Sequence, residues 1–512
     1  MVRMAHAPFE ERKRLHANLD ELIDGIKLQK DLASMEKALR RAGFALLLGV
    51  LQLVLRELGD GYLGSRVACP CGCGRLLQCK QRVKNRFVQT MFGTVLLARS
   101  YYTGCATGRG WLPLDVQLGI DQGRSATLEQ NTVLMGVMMP FAMGVDVLER
   151  VTGIKSSQKK AYEWTYRRGM FAWAMQLVHS ERAWAQREHI RANAHRGKRP
   201  DTAYVMIDGT SAGIRGGEEF KDCKSVLIFW ASNLHAMRNP SSKRRIRRYL
   251  KKKSIHSHVG PKEEFEKYLW NALVEEGVLE AKEIVWVADG APWIWNLREQ
   301  LLPTAEGWNV IEILDYYHCK QNLHKGAKAL FGKDKQACGQ WVRRQTRRLW
   351  NNDVEATVDE LDVERQDQDK LDAEARKVLT NLWEYLGGKE PSKRDRFRYG
   401  KWRSAGLIVS SGAIESVNHG VIQGRFKLPG MRFSLLGINA LLRLRNAYFS
   451  GSWDALWEQI LRPDASRELR AKVEELERHY ENRAFVTRAQ FVPGHEDDEL
   501  LDLLDDTMED AA

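Results

Sequence analysis

The sequence predicts a multidomain α+β protein. An α/β core is interrupted by an all-helical insertion and preceded by helical, Cys-rich β-hairpin and helix-turn-helix modules. Three observations carry this reading. Between 201 and 331, short β-rich runs alternate with helical ones, the pattern of a sheet with parallel members covered by helices. Residues 332–405 are rich in charge, Trp and Arg and carry no strand signal. Five of the eight cysteines fall within 69–105, around the alternating segment VQTMFGTVLLARSYY.

A chain of 512 residues is too long for one hydrophobic core. We divide it into a helical region (1–64), the Cys-rich hairpin (65–120), a helix-turn-helix-like region (121–200), the first part of the core (201–331), the insertion (332–405), the return to the core (406–460), and a C-terminal helix with an acidic tail (461–512). The apolar stretches Ala42–Leu55 and Val133–Val145 fall short of the roughly 18–20 residues that span a bilayer. The charged start has no apolar run behind it, unlike a secretory signal. Cysteines are too few for a disulfide scaffold. Together these predict a cytoplasmic, nucleoid-associated protein. The net charge is +13, but residues 494–512 hold nine acidic side chains and no Lys or Arg, leaving +22 on the rest. A body this basic favours a polyanion such as double-stranded DNA as partner, against a basic soluble enzyme with no DNA role.

From the N-terminus, Leu15, Leu19, Leu22, Ile23, Ile26 and Leu28 recur near helical spacing, and a second helix runs through Leu55. In CPCGCGRLLQCK (69–80), Cys69, Cys71, Cys73 and Cys79, with distant Cys105, offer more than the four thiolates a Zn²⁺ site needs. Their C-x-C-x-C-x5-C spacing departs from paired C-x2-C, so an unmetallated hairpin is the rival. Residues 141–168 read as a helix, a stop at Thr152-Gly153, and a second helix capped by Ser156 or Ser157. Lys159, Lys160, Arg167 and Arg168 on that second helix are candidate DNA contacts, against a plain helical hairpin.

In the core, AYVMI leads to Asp208, EIVWVA to Asp289, and NVIEIL (309–314) into the helix DYYHCKQNLHKGAKALF; KSVLIFWAS (224–232) is a further strand and 261–277 a helix. A carboxylate at the end of a buried strand is costly unless something positive holds it, and sites in such sheets gather at the carboxyl ends of strands. Glu415, in SSGAIESVNHG (410–420), falls on the first turn of a helix. Two Asp and one Glu suit a pair of Mg²⁺ or Mn²⁺ ions about 3.5–4 Å apart, the arrangement that serves both attacking and leaving oxygens of a phosphodiester. A single Asp-Gly would be only a turn; two after β-rich runs favour the site. Asp315 and His318, at i and i+3, share a helix face. Asp315 is a candidate to fix the tautomer of His318, or simply a helix cap beside a partly buried His.

Basic segments supply candidate phosphate contacts. KRRIRRYLKKK (243–253) contains Lys243, Arg244, Arg245, Arg247, Arg248, Lys251, Lys252 and Lys253, and RFKLPGMR (425–432) contains Arg425, Lys427 and Arg432. In WVRRQTRRLW (341–350) the spacing favours core Trp with surface Arg.

On the segments IDGT (207–210), ADGAPWIW (288–295), LDYYHCKQNL (314–323) and SSGAIESVNHGVIQGRFKLPGMR (410–432), the chain resembles bacterial insertion-sequence transposases of the DDE class. The nearer likeness is to groups with a helical insertion before the final Glu and a D-x-x-H or C-x-x-H motif after the second Asp. It covers about residues 65–450. The resemblance implies an RNase H-like core, a metal-binding triad of Asp208, Asp289 and Glu415 assisted by His318, and cut-and-join activity on element ends and target DNA by at least a dimer. Related transposases place another Cys just after the position of Cys105, where this chain reads ATGRG. The alternatives are a nuclease or resolvase that cleaves without joining, and a DNA-binding regulator without catalysis.

Overall fold

The computed structural model describes residues 13, 17, 19, 21, 23–108, 110–120, 122–214, 220–238, 246–367, 371–429, 431–461 and 467–483. The acidic tail, Lys243, Arg244 and Arg245 lie outside them. The chain is mixed α/β and divides into two compact units, residues 1–168 with 457–467, and residues 169–456 with 468–512.

In the first unit, helix α1 (Leu32–Glu57) begins at Asp31, whose carboxylate accepts from the Ser34 N–H at 2.8 Å. Its Leu48, Leu51 and Leu55 pack on Val88, Val95, Leu97 and Leu114. Val88 comes from β2 (Leu76–Thr90) and Val95 and Leu97 from β3 (Gly93–Thr103), which form an antiparallel sheet with β1 (Arg66–Ala68); Leu114 follows. The helix is longer than its apolar run suggested: an 18-residue window of mean hydropathy 1.7, 11% buried, makes it long and apolar enough to cross a membrane by length and composition. Helices α2 (Ala126–Met138), α3 (Phe141–Thr152) and α4 (Gln158–Ala185) follow. The predicted stop holds: α3 ends at Gly153 in the left-handed region, φ 75°, a conformation glycine adopts without steric cost. Of the two serines, Ser157 is the cap; its hydroxyl accepts from the Lys160 N–H at 3.2 Å.

The second unit is built on a five-stranded sheet of order β10-β9-β4-β5-β8. Strands β4 (Arg199–Gly213), β9 (Ala281–Ala288) and β10 (Val310–Leu314) are parallel, while β5 (Phe220–Trp230) and β8 (Ser254–Val259) add antiparallel pairs. In β4, five consecutive residues from Ala203 to Ile207 are at most 3% exposed, as expected of a central strand covered on both faces. Strands β6 (Leu234–Arg238) and β7 (Ile246–Leu250) form a separate ribbon, so the basic segment 243–253 includes a strand.

Strand β8, SIHSHV, escapes a hydrophobicity search because every residue is buried yet most are polar. Partners make that burial tolerable: Ser257 and Ser225 hydroxyls lie 2.9 Å apart, and His258 Nε2 lies 2.9 Å from Glu264. Helix α13 (Leu435–Ser450) closes this sheet edge with side chains. Asn439 both accepts from the Val259 N–H and donates to its carbonyl, each at 2.9 Å, and Ser450 accepts from the Ile255 N–H at 2.9 Å. An edge strand covered in this way cannot pair with another chain.

Helices α5 (Lys262–Glu275), α6 (Pro292–Leu301) and α7 (Tyr316–Phe331) connect the strands. The region 332–405 is helical throughout its described residues: α8 (Lys335–Trp350), α9 (Val354–Gln366), α10 (Ala373–Tyr385), a 3₁₀ turn, and α11 (Tyr399–Ser404). Trp341 is buried at 1% exposure while Arg343, Arg344 and Arg347 are exposed, the partition expected from their spacing. The chain then returns through the short helix α12 (Gly412–Val417).

Candidate active site and thiol cluster

The sheet register brings three aspartates into one row. Ile207 pairs with Ala288, and Ala288 with Leu314, across β4, β9 and β10. The next residues along the chain are Asp208, still in β4, and Asp289 and Asp315, which directly follow β9 and β10. The expectation that Asp208 ends its strand needs correction: β4 leaves β9 there but continues to Gly213 against β5. The antiparallel partner keeps satisfying the backbone after the parallel one has turned away.

Each aspartate is held differently. Asp208 accepts from its neighbour's N–H, Gly209, at 2.8 Å on one oxygen and from Asn418 Nδ2 at 2.8 Å on the other. Burial, with the adjacent Asp289 charge added, raises its pKa above the ordinary carboxylate value. Asp289 accepts from the Ala291 N–H at 2.9 Å, turning the chain into α6. Gly290 between them has φ 102°, and a Cβ there would sit 2.6 Å from the Tyr385 ring, which α10 packs over the turn. Asp315, wholly buried, caps α7. One oxygen accepts from the His318 N–H at 2.8 Å and faces His318 Nδ1 at 2.7 Å; the other accepts from the Ser411 N–H. Burial by itself would raise the Asp315 pKa, but these bonds from His318 and Ser411 outweigh it and lower it. The bond to Asp315, with the charges of Asp289 and Asp208, raises the pKa of His318.

Glu415, exposed on α12, accepts from the Ser411 hydroxyl at 2.8 Å. Ser411 thereby ties the Glu helix to Asp315. Asp208, His318, Gln321, Glu415, Asn418 and His419 are among the residues lining one cavity of ≈ 580 Å³. Ligand atoms of Asp315, His318 and Glu415 lie within 4.8 Å of one another. Both Asp315 oxygens are already engaged by protein donors, and one of them faces His318 Nδ1. The Asp315, His318 and Glu415 group is compatible with a divalent cation, and Asp208 lines the same cavity without belonging to that group. Asp289 is not among the cavity's lining residues; it stands beside Asp208 in the next strand and acts on the site through its charge. The three carboxylates expected as one ligand set are therefore neighbours rather than a single cluster.

Ser411 and Asn418 are not legible as site residues in the sequence, because a lone Ser or Asn in a helical segment carries no chemical signature. The spacing Glu415 to Asn418, one helix turn, was the available clue.

Several candidate DNA contacts are repositioned. Arg168 is buried and donates to Glu129 at 2.9 and 2.8 Å, where Arg124 joins at 3.0 Å. A buried carboxylate needs such cations, so Arg168 is structural rather than DNA-facing. Arg167 is half-buried, its pKa lowered to about 10 by burial. Arg425 is 1% exposed, with its guanidinium 5.3 Å from the centre of the Phe433 ring, and it too belongs to the interior. Lys159, Lys160, Lys251, Lys252, Lys427 and Arg432 are exposed, and Lys253 is half-buried. Lys427 Nζ donates to Thr210 on the cavity wall at 3.0 Å. Arg247 and Arg248 lie in β7.

In the first unit, Cys69, Cys71, Cys73 and Cys105 bring their sulfurs within 4.8 Å of one another. Cys79 is not in the group and packs instead beside Leu77 and Tyr102. Backbone donors from Ala106 and Arg75 lower the Cys73 thiol to about 6. Four converging sulfurs fit Zn²⁺.

No protein-family profile matches the chain, and no curated protein matches it.

Proposed function

We propose that the protein is a DNA transposase of the DDE class with an RNase H-like core, acting on the ends of a mobile element and on target DNA. The observation that carries this is the row Asp208, Asp289 and Asp315 at one register level, with Glu415 and His318 at the same cavity. Three parallel and two antiparallel strands, followed by a helical insertion between the second Asp and the Glu, support the core assignment. Asp208 and Glu415 would hold Mg²⁺ or Mn²⁺, with Asp289 adding negative charge beside them. When bound, the ions would supply the Lewis acidity that phosphodiester chemistry needs. His318, fixed by Asp315, stands ready to hold or pass a proton at Nε2. A water oxygen bonds to phosphorus as the bond to O3′ breaks; the freed 3′ hydroxyl then attacks a target phosphorus and displaces the target's own O3′. Exposed Lys427, Arg432, Lys251 and Lys252 favour the phosphate backbone. Handling two ends together calls for at least a dimer, working at the nucleoid.

The test is incubation with a DNA fragment bearing the element's own ends, with Mg²⁺ or with chelator. End-specific nicks and joined products are expected with Mg²⁺ only, and Asp208→Asn and Glu415→Gln should abolish both while binding persists. Nicks without joining would instead make it a nuclease or resolvase. Unchanged activity in Asp208→Asn would leave the regulator reading.

A further inference from the structure

Asn418 is unusual among the cavity residues in being neutral, polar and 3% exposed. It opens a six-residue π-helical stretch, Asn418–Gln423, directly after the α-helical turn that carries Glu415. Such stretches are strained relative to the α-helix and are frequently kept at functional sites. The Asn418 amide meets Asp208 through Nδ2 at 2.8 Å. Its Oδ1 is buried and has no hydrogen-bond partner among the described residues. Leaving a buried acceptor unpaired is costly, and a native structure that retains one needs a reason.

We infer that Asn418 is a positioning residue for the cation site, using Nδ2 to fix the Asp208 carboxylate and Oδ1 to accept from a water or hydroxyl brought in with the cation. This rests on the proposal that Asp208 binds a divalent ion. The chemistry selects an amide. A carboxylate at 418 could not donate to Asp208 and would add a third charge beside Asp208 and Asp289. A lysine would neutralise Asp208 and compete with the ion for it. An amide donates on one side, accepts on the other, and carries no charge.

The experiment is Mn²⁺ binding to the full chain, followed by electron paramagnetic resonance, for wild type, Asn418→Leu, Asn418→Ala and Asp208→Asn, with melting measured alongside. Leu nearly matches Asn in shape and removes both polar atoms; Ala serves if Leu does not fold. Both Asn418 variants should bind Mn²⁺ about 10–100-fold more weakly, the usual effect of losing a group that orients a ligand, and should melt within a few degrees of wild type. Wild-type Mn²⁺ affinity in both, with affinity lost in Asp208→Asn, would overturn the role of Asn418 alone. Wild-type affinity in Asp208→Asn as well would overturn the cation site beneath it.

Discussion

Ile207 of β4 and Ala288 of β9 are register partners, so Asp208 and Asp289 stand side by side where the two strands part. Two carboxylates so placed repel, and burial of Asp208 adds to the cost of its charge. Because the folded pKa of Asp208 is raised, the cost is present at neutral pH and relieved as the pH falls through that raised value. Asp208→Asn should therefore stabilise the ion-free protein, seen as a higher melting temperature. The same variant should lose cleavage by about 10³-fold or more and lack the thermal upshift that Mg²⁺ should give the wild type. A variant that melts lower than wild type without metal would contradict this electrostatic picture.

The Asp315–His318 pair has the opposite sign. His318 gains a proton-stabilising partner, so its contribution to stability is full below the ordinary histidine value and is lost as pH rises through the higher folded value. Asp315→Asn should return the His318 NMR titration towards 6.5, flatten the stability change above that pH, and slow cleavage about 10–100-fold. An unshifted His318 titration in the variant would show that Asp315 does not control the ring.

Gly290 tests the insertion's hold on the turn after Asp289. A side chain there meets both a left-handed backbone and the Tyr385 ring. Gly290→Ala should cost about 2–4 kcal/mol in denaturant unfolding. Adding Tyr385→Ala should recover the part due to the clash, as measured by the double-mutant cycle. Full additivity would mean the ring does not press on the turn.

The thiol cluster makes a stoichiometric prediction. Purified protein should carry one Zn²⁺ per chain, released by a thiol-modifying reagent and quantified with a chromogenic chelator. Cys73→Ser should lose the metal and lower the melting temperature, whereas Cys79→Ser should keep it. Zinc loss in Cys79→Ser with retention in Cys73→Ser would assign the ligands wrongly.

Strands around Asp208 and Asp289, the helix after Asp315 and the stop at Gly153 could all be read from local pattern, because apolar runs, caps and turn residues act over a few neighbours. Strand β8 could not, since Ser and His enter a core only where Ser225, Glu264 and α13 are waiting to pair with them. Nor could the burial of Arg168 and Arg425, which in sequence are indistinguishable from surface cations.

What the sequence by itself determined was the inventory: carboxylates at the ends of buried β runs, an Asp-His pair one helical turn apart, a Glu helix far downstream, and a knot of cysteines. Local chemistry suffices for these because the cost of burying a charge or breaking a helix is felt within a turn or a strand. Only the tertiary structure decided which groups share a wall. Register placed Asp289 beside Asp208, Ser411 linked the Glu helix to Asp315, and the packing of Asn418 gave Asp208 its donor. Those relations join residues 80–210 positions apart, and interactions between such distant groups exist only once the chain has closed on itself.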